Sequence, residues 1–380
     1  MRSIFLLWAL LFVFTFSASS QLIVDHTCTN INEIPQWAIE QAKEQLHIAY
    51  GHTSHGSQVT DGMEGLVEFA NGGGYGLSLP QDIFQWNHGG SDGALDLHDY
   101  AMDGDVGYWP DWYNNTTNYL DDTESSDVNV VMWSWCGQVG DKYASGVLWS
   151  EFLGPMNTLE ATYPDITFVY MTGHLNYWDR ENTNAANDSI RSFFWNNGKV
   201  LFDFADIESY APDGTCYKEN GDDACDYYNE DGDSVGNWAV EYQDIHTEGS
   251  DWYDCSSAHS EPLNANRKAY AAWWMFASLA GWNYNPTTVA DWSIPELNCR
   301  VYPNPASDIV TVEITGNHAG VIRIDLLSAS GGIIERYTAP AVPQDTFLFQ
   351  IKMTNLDPAP YYLNIISPDK SILYKILVIH

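Results

Sequence analysis

The sequence predicts an α/β protein: a doubly wound, mostly parallel sheet of five strands, followed by a small C-terminal β-sandwich. Three observations carry this. Short, continuously apolar runs alternate with helical stretches between residues 34 and 282, as strands buried on both faces do. After Arg300 the pattern changes to alternation of apolar and polar residues, the mark of half-buried strands. The charge is also divided: the 380-residue chain has a formal net charge of −36, carried by residues 21–299, while residues 300–380 are close to neutral.

Taken in order, Met1–Ser20 has a basic Arg2, an apolar run from Ile4 to Phe16 and small residues before Gln21. It reads as a secretory signal peptide, too short in its apolar run for a membrane span. Residues 21–284 form the main domain. Its strands are His47–Tyr50, Asp127–Trp133, Asp165–Met171, Lys199–Phe204 and, as the fifth, Asp82–Trp86. Helices are expected over Ile34–Leu46, Gly146–Tyr163, Asn184–Asn196 and Asn264–Leu279, the last stopped by Gly281. Residues 285–299 read as a linker and 300–380 as the sandwich.

In open parallel sheets the ligand crevice lies beyond the carboxyl ends of the strands. That rule selects three turns: Gly51–Ser57, Trp135–Gln138 and Thr172–Asn176. In the first, Gly51-His52-Thr53-Ser54-His55-Gly56-Ser57, a serine stands between strand and helix, near the positive end of the helix dipole. Backbone N–H groups there stabilise an oxyanion, but the hydroxyl needs a general base. His259, opening the last helix, is the candidate base, with Asp254 (or Asp251) orienting its ring. Ser57 rivals Ser54, and Ser54 is also a candidate helix cap. His52, His55 and His174 together suggest a metal site, while His174 and Asn176 equally suit substrate binding.

The acidity argues against nucleic acid and anionic membranes as partners, which both need a basic footprint. Six cysteines in an exported chain suggest up to three disulfides, with Cys216–Cys225 the shortest loop closure and Cys28–Cys299 a staple across the first domain. The acidic loop at 222–233 is a candidate calcium site through Asp226, Asp231 and Asp233, although it does not follow the EF-hand order. No other cofactor is called for. Trp86, Trp109, Trp112, Trp133, Trp135, Trp178 and Trp252 fall near strand ends, where aromatic faces stack on sugar rings.

Two resemblances add to this. Val301-Tyr-Pro-Asn-Pro-Ala-Ser-Asp308, the turn at Ser330-Gly331 and the closing Lys375-Ile-Leu-Val-Ile-His380 resemble the type IX (Por) secretion C-terminal sorting domain. This implies the type IX machinery as partner, and secretion or cell-surface attachment. The strand–Gly51-His-Thr-Ser54–helix order, with Asp254 and His259 before the last helix, resembles the SGNH (GDSL-like) hydrolase superfamily, whose fold is flavodoxin-like. The resemblance implies Ser54 as nucleophile, a triad with His259 and Asp254, and Gln138 as oxyanion donor after Trp135. Gly89 or Gly90 falls in the second block. The expected function is a secreted serine esterase acting on sugar esters of polysaccharides. The alternatives are a non-catalytic carbohydrate-binding surface protein, or a glycan lyase or glycosidase using His52 or His174.

Overall fold

The computed structural model describes residues 21–284, 298–315, 322–328, 333–339, 347–366 and 371–379, so the expected signal peptide and most of the expected linker lie outside the described residues. The chain divides into two compact units, with the boundary between Tyr284 and Asn285.

The first unit is built on a parallel sheet of seven strands: β1 (Leu22–Val24), β2 (His47–Gly51), β3 (Trp86–Asn87), β4 (Leu95–Asp99), β5 (Val130–Trp133), β6 (Thr167–Met171) and β7 (Val200–Phe202). Their order across the sheet is β1-β7-β6-β5-β2-β4-β3. The central five, β4-β2-β5-β6-β7, follow the doubly wound order in which the chain reverses direction between β2 and β5. The expectation of five strands is therefore corrected to seven. The two unforeseen strands are β1, only three residues long, and β4, whose Leu-Asp-Leu-His-Asp sequence hides a strand among acidic residues.

Helices cover both faces. On one lie α1 (Gln36–Gln45), α2 (Ser54–Asn71), α7 (Phe204–Ser209) and α9 (Pro262–Leu279), around a core that includes Ile39, Ile48, Met63, Leu66, Met132, Trp273 and Phe276. On the other lie α3 (Asp111–Leu120), α4 (Val139–Ala144), α5 (Gly154–Thr162) and α6 (Arg180–Asn197), around Trp112, Val131, Trp133, Phe152, Tyr170 and Phe194. A strand buried on both faces must be apolar throughout, which is why β5, Val-Val-Met-Trp, is wholly buried. The helix expected over 146–163 is split, with a π-helical turn at Trp149–Leu153 ahead of α5. A hairpin, β8 (Asp226–Tyr228) and β9 (Ser234–Asn237), leads into α8 (Trp238–Ile245).

Helices α2 and α9 pack in direct contact because Gly62 has no side chain. A Cβ there would lie 2.2 Å from the Ala265 carbonyl oxygen. This close approach brings the segment before α9 to the start of α2.

The second unit has two antiparallel sheets. One contains β10 (Asn298–Tyr302), β11 (Ile309–Thr315) and β14 (Phe347–Lys352); the other contains β12 (Ile322–Leu327), β13 (Ile333–Ala339), β15 (Pro360–Ile366) and β16 (Ser371–Leu377). Alternate residues of both, among them Val310, Val312, Ile324, Leu326, Leu363 and Ile365, fill one core. Asn298 and Cys299 belong to its first strand rather than to a linker.

Among the described residues no disulfide forms, which corrects the expected pairings. Cys225 is buried with its Sγ on the Ser260 hydroxyl, whereas Cys216 is exposed. Burial pushes the Cys225 and Cys28 thiols up to about 12, which disfavours the thiolate that disulfide exchange requires.

Candidate active site

Ser54 is the first residue of α2, three positions beyond the end of β2. No side chain caps this helix, because Thr53 Oγ1 donates to Asp105 Oδ2 at 3.0 Å instead. The first-turn N–H groups of an α-helix have no intrahelical acceptor, so they point outward beside the Ser54 hydroxyl. That hydroxyl lies 3.0 Å from His259 Nε2, across 205 residues of sequence. Ser57 is engaged on the helix, 2.9 Å from both the Ser54 carbonyl and Asp61 Oδ2, which removes it as a rival.

His259 is held in the left-handed backbone region, φ 64°, a conformation that is uncommon outside glycine. The carbonyl before it, on Ala258, accepts from Gln58 Nε2 at 2.5 Å. Gln58 in turn accepts from Lys268 Nζ, which also pairs with Glu208 Oε2 at 2.7 Å. Both charged side chains are fully buried. Burial lowers the Lys268 pKa and raises that of Glu208, each against the pull of the other. Glu208 also accepts from the Leu175 N–H, next to His174. A buried ion pair thus grips the backbone beside two crevice histidines.

His55 lies at the centre. Its ring stacks on His174 at 4.0 Å and on His259 at 4.5 Å. Its Nε2 lies 2.9 Å from Asp223 Oδ2 and its Nδ1 3.3 Å from Cys136 Sγ, itself 3.6 Å from Ser54 Oγ. Burial pushes His55 down to about 4, outweighing the Asp223 hydrogen bond. Burial alone would raise Asp223, but the His55 hydrogen bond and the nearby His174 more than offset it, and its pKa is lowered. The pair is therefore neutral imidazole and charged carboxylate, with Nε2–H donating.

The sequence reading missed Asp223 and Cys136. Asp223 stands in a loop that reads as a calcium candidate, and Cys136 is one of six cysteines open to disulfide formation. The position of Cys136, directly after the end of β5, was the available signal.

Several expected roles are corrected. No hydrogen bond or ion pair joins Asp254 to His259, and Asp254 is exposed to solvent. Trp135 is buried against Phe152 with its Nε1 on the Met171 carbonyl, so it packs in the core rather than lining the crevice. His52 is buried between Tyr50 and Tyr100, with Nε2 on Asp99 and Nδ1 on the Thr53 carbonyl, and leaves no nitrogen for substrate or metal. Asn176 caps the short 3-10 helix Tyr177–Asp179, accepting from the Trp178 and Asp179 N–H groups. Gly89 donates to Asp96, which is level with His47 at the amino end of β2, the opposite end from Ser54. Gln138 Nε2 reaches Asp105 at 3.3 Å and so shares that carboxylate with Thr53. His174 does sit in the crevice, with Nδ1 on the Leu175 carbonyl. Of the seven tryptophans expected near strand ends, Trp112 and Trp133 are core, while Trp178 is 74% exposed beside the crevice loop.

Asp226, Asp231 and Asp233 do not gather into a cation site. Asp226 is taken by Asn237, and the other two lie on the hairpin turn organised by Asn229. His55, His174 and Asp223 do bring three ligand-capable atoms within 4.8 Å. The His55 and His174 rings, however, are within 3° of parallel and stacked. A metal must lie close to each imidazole plane at about 2.0–2.1 Å, which two stacked planes do not allow. A cavity of about 950 Å³ opens at the amino ends of β1, β6 and β7 near Leu22, Thr167 and Val200, away from this chemistry.

Comparison with known proteins identifies one part of the chain. Residues 300–379 are a secretion system C-terminal sorting domain. This tail indicates secretion and cell-surface attachment through the type IX machinery. Among the described residues no helix is long and apolar enough to cross a membrane. No curated protein matches the chain. Among solved structures, the chain is similar to PorZ, a surface component of the type IX secretion system of Porphyromonas gingivalis, at 24% identity over 22% of this chain and 12% of that one, TM-score 0.17. It is also similar to a CARDB domain from Pyrococcus furiosus, at 9% identity over 26% of this chain and 100% of that one, TM-score 0.19. An endo-β-1,4-mannanase from Thermotoga petrophila is matched at 11% identity over 88% and 65%, TM-score 0.19. At such TM-scores none of these carries a functional argument.

Proposed function

We propose that this protein is a secreted serine hydrolase of SGNH-like type, acting as an esterase. The observation that carries the reading is the 3.0 Å contact between Ser54 Oγ and His259 Nε2 at the start of α2. His259 takes the Ser54 proton as the hydroxyl attacks an ester carbonyl, then returns it to the departing alkoxide; water repeats the sequence on the acyl-serine. The uncapped N–H groups of the first turn of α2 serve the oxyanion. The pair works as a dyad, its base oriented by the Gln58 grip on Ala258 and by stacking on His55 rather than by a carboxylate.

An esterified polysaccharide is the substrate class. The exposed face of Trp178 suits a sugar ring, and a sorting tail takes the domain out of the cell, where polysaccharide esters are accessible to it. Hydrolysis of a short-chain aryl ester tests the reaction: it is expected in the native protein and lost in Ser54→Ala. Unchanged turnover in a folded Ser54→Ala protein rejects the mechanism. Acetate release from acetylated polysaccharide tests the substrate class separately.

A further inference from the structure

We infer that Cys136, with His55 as its base and Asp223 as the orienting carboxylate, is a second nucleophile in this crevice, able to take an acyl group from an activated ester or thioester independently of Ser54. Three contacts carry this. Cys136 Sγ lies 3.3 Å from His55 Nδ1, and His55 Nε2 lies 2.9 Å from Asp223 Oδ2. Since Nε2–H donates to the carboxylate, Nδ1 holds the ring's lone pair and faces the thiol. Nucleophile, base and orienting acid thus form an unbroken relay. The third contact, 3.6 Å from Cys136 Sγ to Ser54 Oγ, puts the sulfur within reach of the same reacting carbon.

The relay is built rather than incidental. Its parts come from three separate places: the first turn of α2, the turn after β5 and the loop before β8. The His55 ring is clamped between His174 and His259, which fixes the direction of Nδ1. The Ser54–His259 pair, by contrast, has no carboxylate on its histidine among the described residues.

In the step, the S–H proton moves to His55 Nδ1 and a sulfur lone pair forms the C–S bond. The electron pair of the broken C–O or C–S bond leaves on the alkoxide or thiolate, which takes the proton from His55. Water, deprotonated by the same ring, then releases the acid and restores the thiol.

The test uses the full-length secreted protein. His55 acts on the thiol in the reacting complex, so the readout is the acyl enzyme itself. Acid-quenched reaction of Ser54→Ala with p-nitrophenyl acetate is expected to leave a hydroxylamine-labile acetyl on Cys136. Asp223→Asn in that background slows its formation by about 10²-fold, while Cys136→Ser abolishes the thioester. No acyl-Cys136 in folded Ser54→Ala, or its formation at an unchanged rate in Asp223→Asn, overturns the inference. Turnover loss in Ser54→Ala is read separately, so the serine mechanism stands or falls on its own.

Discussion

The crevice holds two candidate nucleophile–base pairs, Ser54 with His259 and Cys136 with His55, 3.6 Å apart at Oγ and Sγ, and they are built differently. Ser54 and His259 meet at the exposed rim, where His259 has a strained backbone and no carboxylate partner. Cys136 and His55 lie on the floor, and His55 is buried, stacked on both faces and bonded to Asp223. The contrast teaches that a base can be oriented in two ways. On the floor the half-buried carboxylate of Asp223 does it. On the rim the backbone does it, anchored through Gln58 to the Lys268–Glu208 pair.

The largest expected effect separates the rim from everything else. His259→Ala removes the base for Ser54 and is expected to cut aryl-ester turnover by about 10²–10⁴-fold, read from initial rates. If His55→Gln matches that loss while His259→Ala does not, the base has been assigned to the wrong pair. Next comes the shared anchor. Lys268→Met leaves Glu208 buried without its cation and is expected to cost about 3–5 kcal/mol of stability, measured by urea unfolding. Lys268→Met with Glu208→Gln should recover much of it, since the uncompensated charge is then gone.

The floor sets a pH dependence. His55 titrates near 4 in the folded protein against 6.5 for an ordinary histidine, because burial disfavours its cation. A depressed histidine contributes stability that is full above the unfolded value and is lost as the pH falls from 6.5 toward 4. The unfolded chain binds the proton first in that window. The loss is about 3 kcal/mol at most, and His55→Gln should flatten that limb of the stability–pH curve. A smaller effect is expected at the helix crossing. Gly62→Ala puts a Cβ against the Ala265 carbonyl, costing about 1–3 kcal/mol and lowering turnover as Ser54 and His259 part. The smallest is Asp254→Asn, expected to change stability by less than about 0.5 kcal/mol with turnover nearly intact. A loss as large as that of His259→Ala would restore Asp254 to the rim.

Much of this was legible in the sequence, and the pattern of misses has physical causes. Apolar runs such as Val130–Trp133 announced buried parallel strands, and the turns after them held Ser54, Cys136 and His174. His259 stood out as a histidine opening the last helix. The three-residue β1 and the polar-studded β4 lack that signal, so the apolar pattern accounts for only five of the seven strands. Trp135 and His52 face the core rather than the crevice because side-chain alternation at a strand end is interrupted by the turn that follows. Asp223 was hidden because its partner, His55, is 168 residues away and its own loop is crowded with carboxylates. Gln58 and Lys268 act on His259 through a backbone carbonyl, a role that leaves no motif.

The most direct measurement is active-site titration with a fluorophosphonate, which phosphonylates only a serine paired with a working base. The account predicts one adduct per chain, mapped to Ser54, absent in His259→Ala and retained in Asp254→Asn. A folded protein that gives no adduct, or gives it at Ser57, contradicts it.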